Sequence, residues 1–251
     1  MVDRCRVRMI NYPTSVVYAT DVRKIPQLFR RVKLNTTLNV TIIGSGNMGR
    51  GIATRLLSGG HNVTLMDRKL DNAKSSADQI ASNAKNGAKV WGVAIGAPIK
   101  DEIVILAIPY GATSEVIENL GSQLAGKTII DITNPLNATY DGMAVAAGTS
   151  AAEEIARELP VNAKVFKVFN TTFAQTLISG QVDGKKLDVF IAGDDAKAKE
   201  TITQLVNDGG LRAIDAGPLS HARQLEAIGF LGITLQGTLG TSFKSAWKIV
   251  A

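Results

Sequence analysis

One stretch of the sequence, residues 38–49, decides the fold. It reads Leu38-Asn39-Val40-Thr41-Ile42-Ile43-Gly44-Ser45-Gly46-Asn47-Met48-Gly49. The β-branched run at its start predicts a strand, and the apolar-periodic residues 50–57 after it predict a helix. In between, Gly44 permits a tight turn, Gly46 lets the backbone approach a pyrophosphate, and Gly49 lets the helix pack closely on the sheet. A glycine triplet alone would also fit any turn that needs positive φ, but this context favours dinucleotide binding.

The residues after the second predicted strand give two conflicting signals about the nucleotide. Asp67 lies 18 residues after Gly49, at the end of that strand. A carboxylate there accepts hydrogen bonds from a ribose 2′-hydroxyl and repels a 2′-phosphate, which indicates NAD. Arg68 and Lys69 follow directly, and a guanidinium beside the ribose is the usual receptor for the 2′-phosphate of NADP. The pair also fits a simple solvated turn, so the residues alone leave NAD and NADP open.

Predicted strands and helices alternate through the rest of the chain. The strands are predicted at residues 38–43, 62–66, 88–90, 102–108, 128–132, 164–169, 187–192 and 211–216, and the helices at 50–57, 70–84, 113–124, 151–159, 196–207 and 218–250. This alternation with short connections is typical of a doubly wound parallel sheet. We therefore predict an α/β Rossmann fold. It comprises a dinucleotide-binding domain at 39–160 and a smaller C-terminal α/β lobe with a terminal helix at 161–251.

The net positive charge of the chain comes from its first part. Residues 1–38 hold eight bases and two acids, whereas residues 39–251 hold 20 of each. Because the body is neutral, we expect no nucleic-acid partner. The extension 1–38 is Arg-rich and acid-poor, which fits an organelle transit peptide. An over-long start before a protein that begins near Leu38 or Val40 fits better, since no cleavage site is recognisable. We expect the extension to take no part in the chemistry and the protein to be cytoplasmic.

Two further classes of site are not expected. One cysteine, Cys5, and two histidines, His61 and His221, do not suffice for a disulfide framework or a thiolate zinc site, and no metal site is predicted. The uncharged stretch between Glu226 and Lys244 is short for a membrane span and rich in glycine and polar residues, so no membrane association is expected. Its glycines would let a second backbone approach closely, from a partner in a homodimer or from the chain's own fold. They are Gly229, Gly232, Gly237 and Gly240.

Six motifs give the chain a resemblance to a known family through their order and spacing. They are the glycine turn with Arg50-Gly51, Ala107-Ile108-Pro109-Tyr110, Asp131-Ile132-Thr133-Asn134-Pro135, Lys167-Val168-Phe169-Asn170, Ala192-Gly193-Asp194-Asp195 and Asp215-Ala216-Gly217-Pro218-Leu219. Over most of residues 39–251, the sequence resembles the coenzyme F420-dependent NADP reductases. It also resembles their relatives, which include the cytoplasmic oxidoreductase domain of the STEAP metalloreductases.

The resemblance implies that the nicotinamide lies in a cleft between a nucleotide domain and a small second lobe. Carried over by position, the resemblance implies that Ser45, Asn47 and Met48 contact the pyrophosphate and that Arg68 and Lys69 contact a 2′-phosphate. It implies further that Ile108 and Pro109 border the nicotinamide and that Asn134 and Pro135 lie near the cleft. NADP-binding members usually carry a small polar residue where this chain has Asp67. The motif at 167–170 looks more like the STEAP-type relatives, which leaves the electron acceptor open.

The residues offer few candidates for proton transfer. Reduction of a carbonyl needs a donor such as His, Lys or Tyr. We expect His61 to be structural, which leaves Tyr110 and His221 as weak candidates, and Tyr110 would serve equally well as a wall for the nicotinamide. Hydride transfer to a flavin or deazaflavin asks only for two rings held face to face with little water.

The sequence therefore predicts an NAD(P)H-dependent oxidoreductase whose acceptor is a diffusible flavin or F420-like deazaflavin. One alternative is a small-carbonyl reductase that uses Tyr110 or His221. A second alternative, from a different class, is a non-catalytic NADP-sensing module whose second lobe binds a partner protein.

Overall fold

The fold grows from strand β1, which leads through the glycine turn into helix α1. The computed structural model describes residues 36–250, so the predicted extension lies outside the described residues up to position 35. The described strands are β1 Asn39–Ile43, β2 Asn62–Asp67, β3 Val90–Ala94, β4 Ile103–Leu106, β5 Thr128–Asp131, β6 Lys164–Val168, β7 Gln181–Val182, β8 Lys185–Lys186, β9 Asp188–Gly193 and β10 Arg212–Gly217. The helices are α1 Asn47–Ser58, α2 Leu70–Ile80, α3 Thr113–Leu120, α4 Ala151–Glu158, α5 Ala174–Ser179, α6 Ala196–Asp208 and α7 Ala222–Leu239.

Eight strands form one sheet in the order β10-β9-β6-β5-β4-β1-β2-β3. The six strands from β3 to β6 are parallel, and their order, 3-2-1-4-5-6, is that of the doubly wound dinucleotide-binding fold. The predicted fold class is therefore confirmed. Strand β9 runs antiparallel to β6, and β10 runs parallel to β9. The carboxyl ends of these two strands consequently lie at the opposite edge of the sheet from the carboxyl ends of the other six.

Both faces of the sheet are covered, which explains the continuous apolar runs of its strands. Successive residues of β1 point to opposite faces. Ile42 belongs to a core that includes Ile52 of α1 and Ile202 of α6, whereas Ile43 belongs to a core that includes Ile117 of α3 and Ile155 of α4. The sheet edge with the carboxyl ends of β1 and β4 is thereby held between two helix layers.

Strand β3 lies later in the chain than predicted. We expected it at Ala88–Val90, but it spans Val90–Ala94 and contains Gly92, a residue type that weakens a strand prediction. A Cβ built on Gly92 would lie 2.4 Å from the backbone of Ala73 in α2. The glycine is needed because α2 packs directly on this edge strand.

The predicted helix at 218–250 is correct only in its middle. Helix α7 ends at Leu239, where Gly240 takes up a left-handed conformation with φ +61°. The Gln236 side chain then accepts hydrogen bonds from the Thr241 hydroxyl and the Phe243 amide, at 2.5 and 2.9 Å, and turns the chain back. Within residues 36–250, neither this helix nor any other is long and apolar enough to cross a membrane.

The glycines of α7 are used partly within the chain itself. A Cβ on Gly229 would lie 2.3 Å from the Asn134 side chain, and one on Gly232 would lie 2.9 Å from that of Trp247. Gly237 and Gly240 have open space around them within the described chain. The homodimer stays a prediction.

The segment 174–186 contains a helix and a hairpin that the sequence analysis missed. Helix α5 packs on α1, where a Cβ on Gly51 would lie 3.1 Å from Ala174 and Leu177. Strands β7 and β8 are only two residues long, and they are joined by Asp183-Gly184 with φ values of +50° and +69°. An Asp-Gly pair in this conformation is a strong hairpin signal, and it could have revealed the turn.

A buried carboxylate on β9 fastens the segment after α7 to the sheet. The Asp188 side chain, 0% exposed, accepts hydrogen bonds from the Arg212 guanidinium, the Lys248 ammonium and the Ile249 amide. Burial alone would raise the pKa of Asp188, but these donors hold it at about 2. The ionised carboxylate therefore stabilises the folded chain.

Asp188→Asn is expected to lower the free energy of unfolding at neutral pH by roughly 2 kcal/mol, the value of such a pKa depression. A carboxyl group with a depressed pKa contributes fully above its ordinary pKa, and the contribution is lost as the pH falls from about 4 to about 2. The difference between the wild-type and variant proteins, measured by urea unfolding, should therefore shrink over that range.

Asp215→Asn provides the control, because the Asp215 side chain is 61% exposed and pairs with Lys199 at the surface. It should change stability by less than about 1 kcal/mol. Equal losses at the two positions would contradict the role given to Asp188.

Candidate functional site

The glycine turn, residues 44–49, is packed so tightly that two of its positions admit no side chain. Gly44 has φ +104°, and a Cβ built on it would lie 2.2 Å from the carbonyl oxygen of Ala107, just after β4. A Cβ on Gly49 would lie 2.0 Å from the carbonyl oxygen of Gly44. The Gly44 amide donates to the carbonyl oxygen of Met66 in β2, at 2.8 Å. The turn thus lies where β1, β2 and β4 end, at the crevice where the strand order reverses.

Gly46 differs from its neighbours because it faces open space. A Cβ built on it would meet no heavy atom of the described chain within 4 Å. Among the described residues, no side chain caps α1, and the first turn of that helix contains no acidic residue. Free amides at the positive end of a helix bind anions. The residues present therefore fit a pyrophosphate lying against Gly46.

Asp67 braces the glycine turn. One carboxylate oxygen accepts hydrogen bonds from the Ser45 amide and hydroxyl, at 3.2 and 2.6 Å, and the other accepts the Lys69 amide at 3.1 Å. Partial burial alone would raise the pKa of Asp67, but hydrogen bonds from Ser45, Lys69 and Asn72 outweigh it, so the pKa lies below its ordinary value. A carboxylate has about four acceptor positions. Most of those on Asp67 are taken by the protein itself.

The other predicted contacts on this side are accessible. Asn47 is exposed and accepts a hydrogen bond from the Arg50 guanidinium at 2.6 Å, and Met48 packs half-buried against the core. Arg68 and Lys69 are exposed at the end of β2. Two accessible cations beside the turn can hold a phosphate.

A wall of the site is built around a pair of asparagines. The Asn134 carboxamide donates to the backbone carbonyl of Asn170 at 2.8 Å and accepts from the Asn170 side chain at 2.9 Å. Gly229 is the residue that leaves room for this pair, as its close approach to Asn134 shows. Pro135 is buried beside it. The carboxyl ends of β5 and β6 are therefore locked together in front of α7.

Two side-chain oxygens in this region are buried without a hydrogen-bond partner in the described chain. They are Thr133 Oγ1 and Asn170 Oδ1, on residues that are each 4% exposed. Thr133 follows β5, and Asn170 follows β6, so both lie at the sheet edge that carries the glycine turn. Unpartnered buried oxygens are costly unless a ligand or water completes them. They fit a polar group such as the carboxamide of nicotinamide.

The residues after β4 pack against the glycine turn on the same edge of the sheet. Ile108 is half-buried, and its side chain lies 3.1 Å from where a Cβ on Gly44 would be; Pro109 is exposed. The Tyr110 hydroxyl donates a hydrogen bond to the Glu154 carboxylate. Burial and this carboxylate raise the pKa of Tyr110 far above its ordinary value. The hydroxyl proton is thus held in the hydrogen bond to Glu154.

The two histidines lie elsewhere. His221 is exposed after β10, at the opposite edge of the sheet from the glycine turn, and its Nδ1 lies against the carbonyl oxygen of Ala216. His61 is buried before β2, where its Nδ1 accepts the Leu38 amide at 3.2 Å, and burial lowers its pKa. The structure therefore brings the nucleotide-binding candidates together and keeps both histidines apart from them.

Two features of this edge escaped the sequence analysis. Thr133 and Asn170 were noted only within motifs, and no role was given to Lys167, which is completely buried with Asp131 and Glu226. The available signal was a lysine between Phe166 and Val168 inside a predicted strand, since lysine is almost never buried unless it is paired.

Comparisons with known proteins agree with this geometry. The sequence profile of the family described as NADP oxidoreductase, coenzyme F420-dependent, matches residues 39–135. The F420-dependent NADP reductase of Methanothermobacter marburgensis is 33% identical over 202 residues, covering 76% of this chain and 89% of that protein. A solved structure named for an F420-dependent NADP reductase of Arthrobacter sp. FB24 has a TM-score of 0.70 and 28% identity, covering 84% of this chain and 99% of that one.

The metalloreductase STEAP3 of Rattus norvegicus is equally similar in sequence but much longer. It is 33% identical over 189 residues, which cover 75% of this chain and only 36% of that protein. The chain thus spans about a third of the metalloreductase and nearly the whole length of the archaeal reductase. By sequence and by fold, it is an oxidoreductase that belongs to the family of the F420-dependent NADP reductases.

Proposed function

We propose that the protein transfers hydride from NADPH to a diffusible flavin or F420-like deazaflavin. The observation that carries the proposal is the set of residues at the sheet edge where β1, β4, β5 and β6 end, which we call the cleft. It has an open phosphate cradle at Gly46 and unpartnered acceptors at Thr133 and Asn170, while the hydroxyl proton of Tyr110 is already committed to Glu154. Such a cleft can bind and orient rings but has little means of protonating an alkoxide.

The chain's own residues supply binding and orientation. The α1 N terminus and Gly46 would hold the pyrophosphate, and the Asn134–Asn170 wall would hold the nicotinamide carboxamide. NADPH, when bound, supplies the hydride. Ile108 and Pro109 would cover one side of the ring and exclude water, which strengthens polar contacts in the cleft.

The basic pair Arg68 and Lys69 supports NADPH over NADH. Both side chains are exposed at the end of β2, whereas the Asp67 carboxylate is occupied by Ser45 and the Lys69 amide. Asp67 is therefore proposed as a brace of the turn, with the 2′-phosphate held by the two cations. NADH remains a weaker donor in this proposal.

An apolar cavity supports a ring-shaped acceptor. It has a volume of about 110 Å³ and is lined by Phe173, Leu235, Trp247 and Gly232. Gly232 lies nearly one helical turn after Gly229, which contacts Asn134. The cavity can receive the edge of an aromatic ring close to the wall. The names of the archaeal relatives support a deazaflavin, and that of STEAP3 leaves a metal chelate to be tested.

Gly46→Ala is expected to fold normally, because its Cβ has free space, and to weaken NADPH binding about tenfold or more by occupying the phosphate cradle. Titration calorimetry measures the affinity, and thermal unfolding measures the stability. Gly49→Ala should instead destabilise the protein, because its Cβ would collide with Gly44. As a control, Gly237→Ala on the exposed part of α7 should bind NADPH like the wild type. Normal binding by Gly46→Ala would contradict the cradle.

The double variant Arg68→Ala/Lys69→Ala should weaken NADPH binding about tenfold, because charge-assisted contacts to the 2′-phosphate are lost, and should leave NADH binding unchanged. The measurement is the ratio of the two dissociation constants. Lys89→Ala removes an exposed charge at the other edge of the sheet and should not change the ratio. An equal loss for both nucleotides would assign the pair to a general electrostatic role.

Tyr110→Phe and His221→Gln should keep turnover within about threefold of the wild type, since loss of a general acid would cost about a hundredfold or more. The assay follows NADPH and NADH oxidation at 340 nm with FMN, FAD, F420, a ferric chelate and small carbonyls. Loss of turnover in either variant, with carbonyls as the best substrates, would favour the carbonyl reductase. Tight binding without turnover on any acceptor would favour the NADP-sensing module.

A further inference from the structure

A complete ion cluster lies buried beneath the asparagine wall. The Lys167 ammonium on β6 pairs with the Asp131 carboxylate on β5 and, at 2.8 Å, with the Glu226 carboxylate on α7. Lys167 and Asp131 are 0% exposed, and the Glu226 side chain is 1% exposed. Asp131 and Lys167 are register partners across β5 and β6. The Lys167–Asp131 pair is therefore built into the sheet, and Glu226 joins it from α7.

The ammonium also reaches the loop that forms the wall. Lys167 Nζ donates to the backbone carbonyl oxygen of Thr133 at 2.7 Å, and Asp131 accepts the Thr133 amide at 2.8 Å. Thr133 directly precedes Asn134, whose partner Asn170 lies three residues after Lys167. The cluster thus holds both the amide and the carbonyl of Thr133, the residue directly before Asn134 of the wall.

Glu226 extends the same network to a helix. Its carboxylate accepts the amides of Ala151 and Ala152, at 3.0 and 3.2 Å, at the N terminus of α4. Burial raises the pKa of Glu226, while Lys167 and the Ala151 amide work in the other direction. The contact with α4 is made by Glu226, and the contact with the Thr133 loop is made by Lys167, so the two roles can be separated.

Stability alone gives no reason for these charges. Buried ion clusters can often be replaced by apolar residues of similar volume without loss, because burying the charges costs about as much as their attraction returns. What an apolar side chain cannot replace is the hydrogen bond to the Thr133 carbonyl, which fixes the direction of the peptide that carries Asn134.

We propose that Lys167 is a positioning residue that sets the Thr133–Asn134 wall at the place where the nicotinamide docks. The proposal rests on the proposed function. In this proposal, Lys167 contacts neither the nucleotide nor the acceptor and acts through the Thr133 carbonyl. Its loss should therefore affect the nicotinamide half of the nucleotide and spare the adenosine half, which the glycine turn and the cations hold.

The test compares binding of NADPH with binding of 2′,5′-ADP, which lacks the nicotinamide. In Lys167→Met, the preference for NADPH over 2′,5′-ADP should fall about tenfold, and turnover with the best acceptor should fall about a hundredfold, as expected for a misplaced ring. Affinity for 2′,5′-ADP should stay within about twofold of the wild-type value.

Three further variants separate positioning from stability. Asp131→Asn/Lys167→Met removes one charge of each sign and keeps an acceptor for the Thr133 amide, so it should fold even where the single variant does not, and it should show the same loss of preference. Glu226→Gln leaves the Lys167–Thr133 contact in place and should keep the preference despite lower stability. Leu205→Ala, which empties a buried position on α6, should lower the melting temperature without changing the preference.

Each outcome decides whether Lys167 positions the wall or only stabilises the fold. An unchanged preference in the Lys167 variants, or an equal loss for NADPH and 2′,5′-ADP, overturns the positioning role. Loss of the preference in Glu226→Gln also overturns it, because the effect would then follow the cluster's charge. Absence of any NADPH preference in the wild-type protein would instead overturn the proposed function.

Discussion

The site depends on the contact between two backbone turns, at the ends of β1 and β4. Gly44 lies so close to the Ala107 carbonyl, and Gly49 so close to the Gly44 carbonyl, that any side chain would force the strands or helix α1 apart. With the backbones in contact, the N terminus of α1 is aimed at the crevice where the strand order reverses. The nucleotide site is a consequence of this packing, because the helix amides and the cradle at Gly46 exist only when the turn is this tight.

The parts of the fold that the sequence predicts well are those set by local patterns. The strands at residues 39–43 and 103–106 carry buried apolar side chains on both faces because two helix layers cover them. The glycine turn is recognisable because backbone contact leaves no alternative residue. Strand β3 was misplaced because Gly92 is explained only by the α2 backbone packed on it. The end of α7 was missed because Gly240, which ends the helix in a left-handed conformation, had been interpreted as a glycine for close packing. The side chain of Gln236 then turns the chain back.

In the candidate site, too, some contacts can be predicted from local sequence patterns and others cannot. Contacts made by consecutive residues, such as the glycine turn and the cations after Asp67, could be found from spacing. The asparagine wall could not, since Asn134, Asn170 and Gly229 are far apart in the chain and meet only because α7 crosses the ends of β5 and β6. Lys167 was overlooked for a further reason. Hydrophobic periodicity assigns a lysine to the surface, and only the two carboxylates from other elements make its burial tolerable.

The arrangement of charge also argues for the type of chemistry. At this edge of the sheet, Lys167 and Tyr110 are each bound to a carboxylate of the protein. A reacting group there would therefore meet mainly peptide and amide dipoles and few available protons. A reaction that creates an alkoxide would be poorly served there. Transfer of hydride between two stacked rings moves charge without needing a donor from the protein. Rigid placement of the rings would then provide most of the acceleration, and the buried ions contribute by holding the wall still.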